Sequence, residues 1–356
     1  MRQQSPMIYF LHISKCAGSS FIALARRNAR LFQPNANGNP INPVSGERVK
    51  FWRWTPKEQH YFLSSPAWDL VANENQLGPR VKFLDGVSYV TILREPLDRL
   101  FSAWQFAVEK PGKEEPLEER GRKYAQFLRA DGLQWRRNYL LSTITYQERH
   151  NGRERLAIAK QRLEQFDHVF LMDTLAADVG AMAREGWTHL DLPWRNTAAP
   201  GEVSWSAARA ALRDYPDLLQ ALIAHNHEDI ELYDFACELV ARRKTGRVEL
   251  ARDLAGEREM PDSDDFEFLV CCAYEAYLQN DEARCTEILG TAEKHPDASE
   301  VDIRMNKTLS EFALRRFGAP ERGLKEHRRK SRAKKEQARA AAAEQRQLEI
   351  SAAGSE

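Results

Sequence analysis

Long hydrophobic runs are absent from this 356-residue chain. No stretch approaches the roughly 20 apolar residues that a membrane-spanning helix needs. The apolar run Met7–Ile13 is too short for the core of a secretory signal, and it lacks a charged region and a small-residue cleavage site. Cysteine is scarce too. Cys16, Cys237, Cys271, Cys272 and Cys285 are odd in number and show no CxxC pair or Cys/His ligand spacing. That pattern speaks against a disulfide framework and structural zinc, and for a reduced, cytoplasmic compartment. Neither charge is in excess: 52 Lys and Arg face 52 Asp and Glu. A surface-wide polyanion interface, nucleic acid included, is not expected, so any anion site has to be local. What the chain does have is 42 % hydrophobic residues, enough for a sizeable core.

Ile8–Ile13 reads as a short buried strand, Ser14–Ser19 as a small polar loop, and Phe21–Arg30 as a helix capped by Ser19 or Ser20. Asn35–Glu47, with repeated Asn, Pro and Gly, reads as an irregular loop. Further strands are expected at Asp69–Asn73, Tyr89–Leu93 and His168–Met172. Helices are expected from Pro96 through Phe106, over Arg153–Gln165 and over Asp173–Arg184. Strands alternating with helices imply an α/β fold, a P-loop-like parallel sheet flanked by helices. After about Cys237 only helical segments follow, with Phe266–Gln279 and Asp281–Lys294 pairing as a hairpin. The expected division is a domain over 1–240, an all-helical extension over 241–320 and a charged helical or disordered tail over 321–356.

Between the first strand and helix stand Lys15, Ala17, Gly18, Ser19, Ser20 and Phe21. Free backbone N–H groups at a helix start, with the positive end of its dipole, favour a bound phosphate or sulfate. Gly18 permits close backbone approach, Lys15 adds a mobile charge, and the two serines offer hydroxyl donors. The spacing is not the common nucleotide-binding G-x-x-x-x-G-K-[ST], because here the lysine precedes the glycine. A second candidate anion site follows the strand Tyr89–Leu93. Arg94 stands at the strand's carboxyl end, Pro96 starts the next helix, and Ser102 comes about two turns later. Arg94 there can grip a phosphate bidentately.

Ser14-Lys-Cys-Ala-Gly-Ser-Ser-Phe21 resembles the 5′-phosphosulfate loop of carbohydrate-type sulfotransferases (the heparan 2-O-like, family 2 group), whose usual pattern is Pro-Lys-Thr-Ala/Gly-Gly-Thr-Ser. Ser14, Cys16 and Ser19 depart from it; Ser19 keeps the hydroxyl, whereas Cys16 loses one and becomes a small neutral filler. Arg94, Pro96, Arg99 and Ser102 match without a gap the family's 3′-phosphate motif Arg-x-Pro-x-x-Arg-x-x-Ser. Weaker similarity continues at Phe166–Met172, at Trp194–Thr197 as a substrate- or nucleotide-covering loop, and at Asn226–Phe235 as a final helix, so that it spans about residues 7–240.

The resemblance implies a transferase using 3′-phosphoadenosine 5′-phosphosulfate (PAPS), with PAP as product, no metal, and a hydroxyl acceptor on a carbohydrate or glycoconjugate. It implies that Lys15 and the loop hold the 5′ side and stabilise the leaving oxygen. Arg94 and Ser102 would hold the 3′-phosphate, and Arg99 would be structural, paired with an acidic neighbour.

Sulfuryl transfer also needs a base for the acceptor hydroxyl. Two residues compete: Glu74, at the end of the expected strand Asp69–Asn73, and His60, in a less readable region. Arg136 and Arg137, beside Trp135 and Tyr139, form the polar face of an aromatic-packed helix or contact an anionic or sugar acceptor. The basic run Lys325–Lys335 reads as a solvated helix or a peripheral contact with an anionic membrane. Two other functions compete with this one. A nucleotide-dependent kinase lacks its lysine position and magnesium carboxylates here; a non-catalytic scaffold would keep only the nucleotide site.

Overall fold

The computed structural model describes residues 7–32, 34–35, 38–43, 46–74, 77, 82–109, 115–130, 132–146, 152–193, 207–245, 258–263, 265–279 and 281–293. Trp194–Thr197 and the basic run Lys325–Lys335 lie outside the described residues.

Four strands, β1 (Met7–His12), β2 (Leu70–Glu74), β3 (Val87–Leu93) and β4 (His168–Leu171), form one parallel sheet in the order β2-β1-β3-β4. Every residue of β1 and β3 is buried, as expected of central strands covered on both faces. The α/β fold with a parallel sheet flanked by helices is therefore present. The chain runs from β1 to β2 on one side and then crosses to β3 on the other, which makes the carboxyl ends of β1 and β3 the topological switch point. The second strand begins one residue later than expected. The Asp69 carboxylate instead clamps Arg30, accepting from its backbone N–H at 2.8 Å and its Nε at 2.9 Å.

The helices are α1 (Gly18–Asn28), α2 (Pro56–Leu63), α3 (Pro96–Trp104), α4 (Leu117–Arg129), α5 (Tyr139–Ile144), α6 (Gly152–Gln165), α7 (Leu175–Asp178), α8 (Ala207–Ala211), α9 (Pro216–His225), α10 (His227–Thr245), α11 (Phe266–Leu278) and α12 (Glu282–Glu293). Helix α2 starts on a reciprocal cap. The Glu58 N–H donates to Thr55 Oγ1 at 3.3 Å and the Thr55 N–H to Glu58 Oε2 at 2.6 Å, with Pro56 in the first turn. The long helix expected over Asp173–Arg184 is instead a tight turn at Met172–Thr174, the short α7 and a 3₁₀ segment at Val179–Glu185. Asp173, Thr174, Asp178 and Gly180 are poor helix formers, and the tighter turns still bury Leu175, Val179 and Met182. Residues Trp135–Asn138, expected on a helix, form a turn in which Arg136 and Asn138 have φ of 52° and 45°.

Two apolar clusters organise the interior. The larger spans the sheet, α1, α2, α5, α6, α10 and the pair α11–α12. From α11, Phe268 packs edge-on against Trp54 (5.3 Å) and Tyr61 (5.9 Å), and Glu275, 1 % exposed, accepts from Ser65 Oγ at 2.7 Å and pairs with Arg258. The smaller cluster holds Leu97, Leu100, Phe101 and Trp104 of α3 against α4, α8 and α9. These four stand at i, i+3, i+4 and i+7, which turns the opposite face of α3 toward β1 and its loop. Among the described residues no helix is long and apolar enough to cross a membrane.

Candidate functional site

Because the sheet is parallel, its carboxyl ends share one edge. His12 pairs with Glu74 and Leu11 with Thr91, so the loop after β1, the end of β2 and Arg94 after β3 meet there. Of the residues singled out from sequence, Lys15, Glu74, Arg94 and Ser102 belong to elements that converge on this edge.

The loop after β1 is conformationally costly. Lys15 and Ala17, neither of them glycine, have φ of 69° and 60°, a region that costs an L-residue about 1–3 kcal/mol. Ala17, rather than Ser19 or Ser20, is the cap residue of α1, and no side chain caps the helix start. The amides of Ser20 and Phe21 donate to the Ala17 carbonyl at 3.0 and 3.2 Å. Phe21 is fully buried, its ring 4.5 Å from that of Phe10, so only its backbone can serve the loop. Cys16 is fully buried, and burial pushes its thiol up to about 11. It is a neutral filler. Gly18 has a reason the sequence does not reveal: a Cβ there would overlap the His12 ring.

Lys15 is half-buried. Burial, followed by the charges of Arg94 and Arg136, holds its ammonium below its ordinary value. Its Nζ lies 4.2 Å from the centre of the Phe106 ring. Arg94 is half-buried and forms no salt bridge among the described residues. Glu95 caps α3 by accepting from the Asp98 N–H at 2.8 Å, and Asp98 Oδ1 accepts from the Ala208 N–H at 2.7 Å. Burial raises the Asp98 carboxyl to about 7.

Arg99, Ser102 and Phe106 stand at i, i+3 and i+7, on one face that runs from the interior to the surface: Arg99 fully buried, Ser102 half-buried, Phe106 70 % exposed. Among the described residues, the acidic partner expected for Arg99 is missing. Its guanidinium stacks on Tyr139 at 4.2 Å, and Nε, Nη1 and Nη2 are buried without a hydrogen-bond partner among those residues. Asp229 is near enough to act on it electrostatically, but its oxygens accept from the Leu140 and Leu141 amides at 2.9 and 2.8 Å. A buried, permanently charged group with unused donors next to the loop suits a site built for an anion.

Glu74 is half-buried at the end of β2. Its Oε2 accepts from Asn39 Nδ2 at 2.8 Å, its N–H donates to Asn39 Oδ1 at 2.8 Å, and Arg48 holds its carbonyl. Oε1 has no hydrogen-bond partner among the described residues. The competing base, His60, is elsewhere. It lies near the end of α2, which leads into the start of β2 rather than its carboxyl end. Burial and the charge of Arg258 lower its pKa. The structure does not bring it to the edge.

The two arginines after Trp135 part company. Arg136 is exposed, lies 4.9 Å from the Trp135 ring and 5.4 Å from that of Tyr139, and acts on Lys15. Arg137 instead donates to the His225 carbonyl at 3.0 Å. Asn39, Arg48 and Phe106 join the site with no signal in the sequence that marks them, and Tyr139 joins it by covering Arg99. Asn39 lies within the stretch read as an irregular loop, and no local pattern links it to Glu74.

The edge thus gathers Lys15, Arg94, Arg99, Arg136 and Arg48, a glycine-containing helix start without a side-chain cap and one oriented carboxylate. No curated protein matches the chain at a significant level. The sequence profile of the Sulfotransferase family matches residues 1–236, a span that takes in both anion-site segments and the whole sheet, so this chain is a member of that family of transferases.

Proposed function

We propose that the chain transfers a sulfuryl group from PAPS to an acceptor hydroxyl, on a carbohydrate or glycoconjugate. The observation that carries this reading is the meeting of Lys15 and Arg94 at the switch point, where the charge of Arg94 acts on the Lys15 ammonium. In this reading the loop Lys15–Phe21 receives the 5′-phosphosulfate on the amides of the α1 start, with Ser19 and Ser20 as hydroxyl donors. Arg94 and Ser102 receive the 3′-phosphate from the adjoining strand end and the α3 face. The buried donors of Arg99 support an anion on that face.

Lys15 stabilises the charge that collects on the leaving oxygen, an interaction strengthened by its partial withdrawal from water. Glu74 accepts the acceptor's proton through Oε1, with Asn39 fixing the carboxylate plane. Exposed Arg136 with Trp135 suits a sugar or anionic acceptor at the mouth.

Two measurements test the reading. A ligand bound only by the folded chain raises stability by about 2.7 kcal/mol at one hundred times its Kd. PAP should therefore raise the melting temperature where equal ATP does not. Label from PAPS should also appear in a glycan fraction supplied as acceptor. A chain whose melting temperature PAP leaves unmoved at millimolar concentration is not a PAPS enzyme.

A further inference from the structure

Phe106 is the most exposed large apolar side chain among the described residues, at 70 %, and Val108, at 49 %, stands on the same turn. Single exposed apolar residues are ordinary on protein surfaces, but this one is placed by an unusual backbone. Helix α3 does not stop at Trp104. It widens into a π-helical turn over Gln105–Glu109, a geometry found mostly at functional sites. That turn sets the Phe106 ring 4.2 Å from Lys15 Nζ. One turn inward on the same face is Ser102, and beneath it Arg99. Lys15 reaches this position from a left-handed residue in the loop after β1.

We propose that Phe106 is a positioning residue: its ring caps the Lys15 ammonium and keeps water from it and from the sulfuryl group, so that the group passes to the acceptor and not to solvent. This rests on the PAPS reading above. Without the ring, water takes the acceptor's place. The bond between sulfur and the bridging oxygen of PAPS breaks and its electron pair stays on the 5′-phosphate of PAP. A water oxygen bonds to sulfur, both water protons are released to solvent, and inorganic sulfate leaves. Nothing is oxidised or reduced.

The full chain and its Phe106→Ala and Phe106→Tyr variants are given radiolabelled PAPS with no acceptor, and released sulfate is measured. PAP affinity is measured by calorimetry. In parallel, limiting acetic anhydride is used to acylate lysines, and Lys15 is read by peptide mass spectrometry with and without PAP. Phe106→Ala should release sulfate about tenfold faster and acylate Lys15 about tenfold faster, a change of ~1.4 kcal/mol in barrier. Its PAP affinity should stay within about twofold of the parent, because the ring is assigned no ligand contact. Phe106→Tyr keeps an aromatic face and should behave as the parent. Equal sulfate release and equal Lys15 acylation in Phe106→Ala, with PAP still bound, would overturn the positioning role and leave the PAPS reading standing. A parent chain that does not bind PAP would overturn both.

Discussion

A Cβ on residue 18 would stand 2.0 Å from Cδ2 and 2.1 Å from Nε2 of His12, so the glycine and the imidazole fit together only because one of them has no side chain. The ring has little room to yield: His12 is 4 % exposed and stacks on Phe10 at 5.5 Å. Gly18→Ala should therefore destabilise the fold by about 1–3 kcal/mol in urea denaturation. The same change in a His12→Ala background should be milder by at least about 0.5 kcal/mol. Additive losses would mean that Gly18 is needed for another reason, the approach of a ligand being the first to examine.

Glu74 is oriented by Asn39, and its Oε1 has no hydrogen-bond partner among the described residues. Glu74→Gln preserves the shape and removes the proton acceptor. Turnover should fall by about 10²–10⁴-fold, with PAP affinity unchanged. Asn39→Ala should lower turnover less, since the carboxylate survives but loses its fixed plane. Single-turnover transfer and calorimetry separate the two effects. Wild-type turnover in Glu74→Gln would remove Glu74 from the mechanism.

Asp98 ties the α3 start to α8 through the Ala208 amide, and its Oδ2 is buried without a partner among the described residues. Burial raises its carboxyl to about 7 and that of Asp229 to about 6. Both acids hold their proton more tightly in the folded chain than in the unfolded one. Their stabilising share is thus complete below about pH 4 and is lost as pH rises through 6 and 7. Asp98→Asn keeps an oxygen for Ala208 and removes the charge. At pH 8 it should be more stable than the parent by on the order of 1–3 kcal/mol, and nearly equal at pH 4. Urea midpoints across that range decide; a parallel pH dependence in both chains would show that Asp98 does not carry it.

What could be read from the residues alone was what consecutive residues build. The run from β1 through the Lys15 loop into α1, and the run from β3 through Arg94 and Pro96 into α3, each carry their signal within about a dozen residues. The parallel sheet followed from their alternation. What stayed hidden depends on distant parts of the chain or on conformation without a residue signature. Asn39 meets Glu74 across 35 residues, and Tyr139 covers Arg99 from the far side of α4. Lys15, Ala17 and Arg136 take left-handed conformations that their side chains do not advertise. Helix α2 is a different case. Thr55-Pro56-Lys57-Glu58 is a legible capping box, and reading it would have placed His60 near the wrong end of β2 from the start.

The family match ends at residue 236, yet the larger core continues beyond it. Phe268 fills the space between Trp54 and Tyr61, and Cys271, Cys272 and Cys285 are buried with it. Hydrogen bonds fasten the same seam: the Lys50 N–H donates to Glu267 Oε2 at 2.7 Å, and Ser65 Oγ to Glu275. Helices α11 and α12 are therefore expected to be required for stability. Phe268→Ala should cost about 3–5 kcal/mol in urea denaturation, whereas Leu278→Ala, at a residue 36 % exposed, should change stability by about 0.5 kcal/mol or less. A chain ending at residue 245 would leave Trp54 and Tyr61 open to water and should be recovered aggregated or much less stable. If it folds as a soluble monomer with the parent's melting temperature, the hairpin is an attachment to the sulfotransferase unit and no part of its core.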